Sequence, residues 1–205
     1  MIDNIQVTKP FAGYRYYGHS SQIPCWFFDG VEVPDINYDE LNWTCKQGDL
    51  LQQEKNYSLR YTADSGSNRG NVIIDTLKDL TNNIILYIKE NHSIKDLESM
   101  YPCAPWKLSK NIEIRKDLEG FTMGRHLDNR NSKWTFILNL NDHNESTIFF
   151  NHNFAEPYKS KPPTMAPTKK GSGSFYFNHH TLIHDIGPIT SKERYTLFQQ
   201  YFFTP

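Results

Sequence analysis

From residue 111 to the end, the sequence divides into seven short segments of strand character, and no other feature limits the fold so tightly. NIEIRK, FTMGRHLD, KWTFILNLN, STIFF, GSFYFN, LIHDIG and RYTLFQQYFF follow one another with turn-forming residues between them. Strands this frequent predict a mainly β, antiparallel architecture, either a barrel or a jelly roll. Aromatic side chains favour half-buried pleated surfaces, and here they reach 14% of the chain, as 13 Phe, 12 Tyr and 4 Trp. A chain of 205 residues is long enough to bury one sizeable core, so residues 1–205 read as a single domain.

The first 110 residues read differently from 111–205. Aromatic clusters such as YRYYGH and PCWFF alternate with the turn formers DG, VPD and DSGSNRG, which predicts an irregular region wrapped around a core built elsewhere. Its one regular element is predicted over 74–92, where Ile74, Leu77, Leu80, Ile84, Ile85 and Ile88 recur at steps of three and four. The expected architecture is therefore a β core with an N-terminal helical elaboration. A second irregular stretch, 152–173, carries Lys159, Lys161, Lys169 and Lys170 against Glu156 and reads as a solvated loop or a lid over substrate.

Charge and composition make several classes of partner unexpected. With 22 basic and 23 acidic side chains the net charge is −1, so no global field draws the protein to nucleic acid or to an anionic membrane. The N-terminus lacks the basic start and apolar run of a signal peptide, and no stretch approaches eighteen apolar residues, so a soluble, cytoplasmic protein is expected. Cys25, Cys45 and Cys103 are odd in number, far apart and in no ligand spacing, which predicts reduced packing residues.

Within the strand-rich half, GRHLDN separates His126 from Asp128 by one residue. On a strand, positions i and i+2 share a face, so an imidazole and a carboxylate would point together into the interior. Burying both is costly unless a partner such as a divalent cation meets them. His184, flanked by Ile183 and Ile186, is the best third ligand. His180 and His179 are alternatives lying just before it. Two histidines and one carboxylate form the facial triad of non-haem Fe(II) sites, which leaves coordination positions open. A structural zinc site would instead close its shell, usually with Cys, and no Cys lies in this half of the chain beyond residue 110. Taken alone, a His-x-Asp pair is common, and a satisfied core histidine is the plainer account of His184. His143 and His152 fall at turn-like positions and are expected to be solvated.

Arg194 lies ten positions after His184, beyond GPITSKE, and a hairpin there would return it beside the metal. Its planar guanidinium suits a carboxylate, and Thr196, two positions on, would share its face and offer a hydroxyl. Together they would receive the far end of a dicarboxylate. The plainer reading is a surface ion pair of Arg194 with Glu193 or Asp185.

His126-x-Asp128, the distal His184 and Arg194-x-Thr196 together resemble the Fe(II)- and 2-oxoglutarate-dependent oxygenases over roughly 111–203. TFILNLNDHNESTIFF and APTKKGSGSFYFNHHTLIH are similar to the corresponding segments of the prolyl 4-hydroxylase-like branch. The resemblance implies a double-stranded β-helix holding iron through His126, Asp128 and His184, with 2-oxoglutarate on Arg194 and Thr196. It implies O2 as oxidant, ascorbate as an accessory reductant, and hydroxylation of a small-molecule or peptide substrate, a prolyl, other peptidyl or amino-acid residue, with 2-oxoglutarate converted to succinate and CO2. Animal prolyl 4-hydroxylases carry Lys where this chain has Arg194, and the branch often carries Tyr where LNLN places Asn139, which is expected to contact the iron-bound end of the co-substrate. NES stands in place of the usual EGG, and Asp128 fills the position a halogenase leaves vacant. The alternatives are a non-catalytic cupin-like module binding a small ligand or peptide, and a metal-dependent dioxygenase that needs no 2-oxoglutarate.

Overall fold

A computed structural model describes residues 5–8, 13–16, 19–22, 25–45, 57–92, 107–108, 112–128, 132–150, 162–178 and 182–202. In chain order the strands are β1 (Gln6–Thr8), β2 (Gly13–Tyr16), β3 (His19–Gln22), β4 (Cys25–Asp29), β5 (Thr44–Cys45), β6 (Arg60–Asp64), β7 (Lys107–Leu108) and β8 (Glu113–Leu118). They continue with β9 (Met123–His126), β10 (Ser132–Asn139), β11 (Thr147–Phe149), β12 (Thr164–Met165), β13 (Gly173–Phe177), β14 (His184–Ile186) and β15 (Glu193–Phe202). One helix, α1 (Val72–Asn91), lies between β6 and β7. Each of the seven segments expected from 111 onward contains a strand, as β8–β11 and β13–β15.

The strands form a large sheet in the order β1-β4-β13-β10-β15-β8-β6-β5, with β7 also on β15, and a small sheet β12-β11-β14-β9. A separate hairpin joins β2 to β3. Every pairing is antiparallel. The N-terminal region differs from the expectation of an irregular wrap with a helical elaboration. Its strands β1, β4, β5 and β6 are hydrogen-bonded members of the large sheet, and α1 is the one α-helix among the described residues.

Helix α1 starts where Asn71 caps it, its side chain accepting from Ile73 N at 2.9 Å and Ile74 N at 3.4 Å. Ile74, Leu77, Thr81, Ile84, Ile85 and Ile88 make its buried stripe, and the apolar members join the cluster that holds Ile114, Phe136 and Leu197. No helix among the described residues is long and apolar enough to cross a membrane.

Residues paired across an antiparallel sheet share a face, so the register sorts the large sheet into two surfaces. On one side Trp134 pairs with Phe177, Phe136 with Phe175, Phe175 with Trp26, and Leu197 with both Leu138 and Ile114. On the other, Tyr176 pairs with Thr135, Thr196 with Asn139 and with Arg115, and Asp117 with Arg194 and Arg60. The small sheet packs over this second side, where the Phe149 ring meets Tyr176 at 5.0 Å and Phe27 at 6.0 Å.

The stretch expected as a loop over 152–173 is described only from 162. There it contains strand β12 and then a turn built into the sheet, where Gly171 N donates to Asn139 O at 2.9 Å and His143 N to Thr168 O at 3.2 Å. Gly171 has φ +79, and a Cβ at Gly173 would collide with the Ile137 carbonyl, so both positions demand glycine. Lys159, Lys161, Glu156 and His152 lie outside the described residues, as does Cys103. Cys25 is a buried free thiol and Cys45 an exposed one.

Candidate metal centre

Strands β9 and β14 pair so that His126 stands directly across from His184. The next residue across the small sheet is Phe149, paired with His184 through β11. This row sets the two imidazole rings 4.3 Å apart, centroid to centroid. Asp128 sits two residues beyond the end of β9, so strand alternation does not aim it, contrary to the sequence argument. The large sheet holds it instead. Thr135 Oγ1 donates to Asp128 Oδ2 at 2.7 Å and Tyr176 OH donates to the same oxygen at 2.9 Å. With Oδ2 occupied, Oδ1 faces the histidines, 3.6 Å from His184 Nε2 and 3.9 Å from His126 Nε2.

Both rings are oriented from behind. His126 Nδ1 lies 2.8 Å from the Gly124 carbonyl and His184 Nδ1 3.2 Å from the Leu182 carbonyl. A carbonyl only accepts, so each Nδ1 donates to it, and this turns each Nε2 toward the centre. Burial opposes charge on Asp128, but the facing His184 and the Thr135 and Tyr176 hydroxyls outweigh it and hold the carboxyl well below the usual carboxylate range. The same burial, with Asp128 beside it, raises the Tyr176 phenol, so Tyr176 stays a neutral donor.

Two imidazole nitrogens and one carboxylate oxygen therefore converge, all within 4.8 Å of one another. A first-row divalent ion with bonds of about 2.1 Å places neighbouring ligand atoms about 3 Å apart, so small side-chain rotations close this set around one. The donor chemistry, N₂O with room for further ligands, fits a non-haem Fe(II) centre. His126, Asp128 and His184 are thus brought together as expected. His179 and His180 lie outside the described residues.

Arg194 and Thr196 stand on the face of the large sheet that also carries Thr135 and Tyr176, the two residues that hold Asp128. The hairpin expected over 187–192 does not form. Strand β14 belongs to the small sheet and β15 to the large one, so the connection crosses between sheets. Nor is Arg194 in a surface pair with Glu193 or Asp185. It is buried, 2% exposed, and its Nη1 donates to Asp117 Oδ2 at 3.2 Å. Arg60 takes the same carboxylate bidentately, with Nη2 donating to Oδ2 at 2.8 Å and Nε to Oδ1 at 2.5 Å. Burial works against the charge of Asp117, but Arg60, then Arg194 and Arg115, hold its carboxyl below the usual range.

Asn139 neighbours Thr196 across β10 and β15, but its amide is already engaged. Nδ2 donates to Pro167 O at 2.8 Å and Ser172 Oγ at 3.1 Å, which orients Oδ1 toward His143 Nε2 at 2.9 Å. His143, expected to be solvated, is 6% exposed. Burial first, then the charge of Arg194, pushes its ring down to about 4, so it is neutral with the hydrogen on Nε2. Thr135, Tyr176, Asp117 and Arg60 were not singled out in the sequence. The readable signal was acidic and basic residues alternating with Ile114 along β8, in a segment otherwise of core character.

Solved structures similar to this chain are 2-oxoglutarate- and Fe(II)-dependent oxygenases. A prolyl hydroxylase from Trichoplax adhaerens, solved with a peptide fragment of the hypoxia inducible factor oxygen degradation domain, matches with a TM-score of 0.50 at 16% identity, over 70% of this chain and 63% of that one. A prolyl-4-hydroxylase from Pseudomonas putida matches with a TM-score of 0.48 at 12% identity, over 71% and 73%. An oxidoreductase of the 2OG-Fe(II) oxygenase family from Burkholderia pseudomallei matches with a TM-score of 0.40 at 16% identity, over 60% and 58%. The matched part thus spans less than two thirds of the Trichoplax and Burkholderia proteins. The Trichoplax likeness is one of fold. No protein-family model matches the chain, and no curated protein does.

Proposed function

We propose that this protein is an Fe(II)- and 2-oxoglutarate-dependent oxygenase built on a double-stranded β-helix, with residues 1–205 forming a single domain and 111–205 its catalytic core. The observation that carries this reading is the convergence of His126 Nε2, His184 Nε2 and Asp128 Oδ1, with each histidine's other nitrogen tied to a backbone carbonyl. In this reading His126, Asp128 and His184 hold iron. Arg194, with Thr196 beside it, takes the far carboxylate of 2-oxoglutarate, and Asn139 supports that pocket through its contacts with Ser172 and His143. Bound iron supplies O2 activation coupled to decarboxylation of 2-oxoglutarate to succinate and CO2, with hydroxylation of a substrate C–H bond.

The chain's own groups prepare that chemistry. The Gly124 and Leu182 carbonyls turn both Nε2 atoms toward the centre, and the Thr135 and Tyr176 hydroxyls keep Asp128 ionised and turned toward them. Arg194 supplies a buried positive charge where water is excluded, which strengthens its attraction for a carboxylate. The peptide bound to the Trichoplax protein supports a peptide as one candidate substrate class, alongside a free amino acid.

Protein purified without air and loaded with Fe(II) tests the reading. Succinate release that requires both Fe(II) and 2-oxoglutarate, and rises with a substrate peptide or metabolite, is expected. Metal binding with no succinate under any of these conditions overturns it.

A further inference from the structure

Asp117 stands between two arginines on adjacent strands and treats them unequally. Arg60 grips it with two contacts, at 2.5 and 2.8 Å, and the Arg60 guanidinium is itself pinned over the Phe121 ring at 4.1 Å. Arg194 touches it once, at the longer 3.2 Å, and among the described residues its Nε has no hydrogen-bond partner although the side chain is 3% exposed. Asp117 is 0% exposed and Arg60 2%, so all three charges are dry. Arg115 is paired with Glu113 at 2.7 Å and covered by Phe198, His143 is neutral, and Glu145 accepts from Thr190 and Ser191.

A buried guanidinium N–H without a partner, such as Arg194 Nε, is unfavourable until an acceptor meets it, and an anion is the strongest such acceptor. The inequality says which arginine meets the anion. Were Arg60 absent, Asp117 would turn to Arg194 and neutralise it.

We infer that Arg60 and Asp117 are positioning residues: Asp117 fixes Arg194 through one N–H, and Arg60 occupies Asp117 so that the rest of the Arg194 guanidinium stays free for the carboxylate of a dianionic 2-oxo acid. This rests on the oxygenase reading above. It adds that the affinity of the co-substrate pocket is set by two residues that do not touch the co-substrate.

The test is a double-mutant cycle read by calorimetry, with 2-oxoglutarate titrated into Mn(II)-loaded protein without O2. Arg60→Met should weaken 2-oxoglutarate about tenfold or more, because a carboxylate then competes for Arg194. Adding Asp117→Asn to that variant should restore part of the loss by removing the competitor, while Mn(II) affinity stays constant throughout. A purely structural role for the pair predicts no restoration, and that result, or wild-type affinity in Arg60→Met, overturns the inference. If Arg60→Met does not fold, the double variant decides against wild type and Arg194→Met. Intermediate affinity supports the inference, and affinity equal to either of the two overturns it. Wild-type protein that binds Mn(II) but no 2-oxoglutarate is a different result, because it removes the functional reading itself and this inference with it.

Discussion

Alternate residues of β10 and β15 go to opposite sides of the large sheet, and the two sides differ in chemistry while sharing one backbone. Trp134, Phe136 and Leu138 interleave with Thr135 and Asn139 on β10, and Leu197 on β15 sits between Thr196 and Phe198. The rings and aliphatic chains of the aromatic side are satisfied by contact. Phe136 stacks on Phe28 at 5.3 Å, and Trp134 on Phe175 at 4.9 Å. Its replacement by other apolar shapes of similar volume would be tolerated. The polar side is as dry, yet each of its groups needs a named partner, from Thr135 and Tyr176 on Asp128 to Arg60 on Asp117. Stability is therefore distributed over one side, and the supports of the proposed site are concentrated on the other.

That division can be broken or sharpened by experiment. Asp128→Ala should abolish Fe(II)-dependent succinate formation while circular dichroism remains that of the wild type, and residual iron-dependent turnover would place the carboxylate ligand elsewhere. Phe136→Ala should do the reverse, costing about 3–5 kcal/mol in chemical denaturation while folded protein at low temperature still binds metal. Arg194→Met should weaken 2-oxoglutarate by about ten- to hundred-fold with iron affinity intact, since a charge-assisted hydrogen bond is worth roughly 1.5–3 kcal/mol. Equal loss of both affinities in titrations would show that Arg194 serves the fold.

Two smaller effects sharpen the contrast. Tyr176→Phe keeps the ring against Phe149 but removes one donor to Asp128, so metal affinity should fall about tenfold with little change in melting temperature. His143 is buried neutral, with its pKa lowered from 6.5 to about 4. The unfolded chain binds its proton more readily between those values, so stability present above pH 6.5 should be lost as pH falls toward 4. Denaturation midpoints across this window should flatten in His143→Gln.

The strands were legible because each carries its own apolar alternation and turn signals, and helix α1 because its stripe is continuous from Ile74 to Ile88. The proposed metal ligands were legible as residue types at workable spacing. Their support was not. Thr135 and Tyr176 look like ordinary strand residues until β10 and β13 pair, and Asp117 is one of several acidic residues until β6 and β15 flank its strand. For the same reason the entry of β1, β4, β5 and β6 into the large sheet was not legible, since β4 joins it through β13 and β6 through β8, partners far along the chain, as with Arg60 and Asp117. Pairing across such separations is a property of the assembled sheet, and His143 shows the same effect at a turn, buried by Asn139 and the 167–172 segment.

The direct opposition of His126 and His184 also bears on how such a centre survives change. An insertion in a loop between the two strands leaves the pair facing, whereas adding or deleting one residue within β9 or β14 would turn a histidine to the outer side of the small sheet. Intervening loops can thus be rewritten with the two imidazoles still facing, provided two very short stretches of chain keep their count.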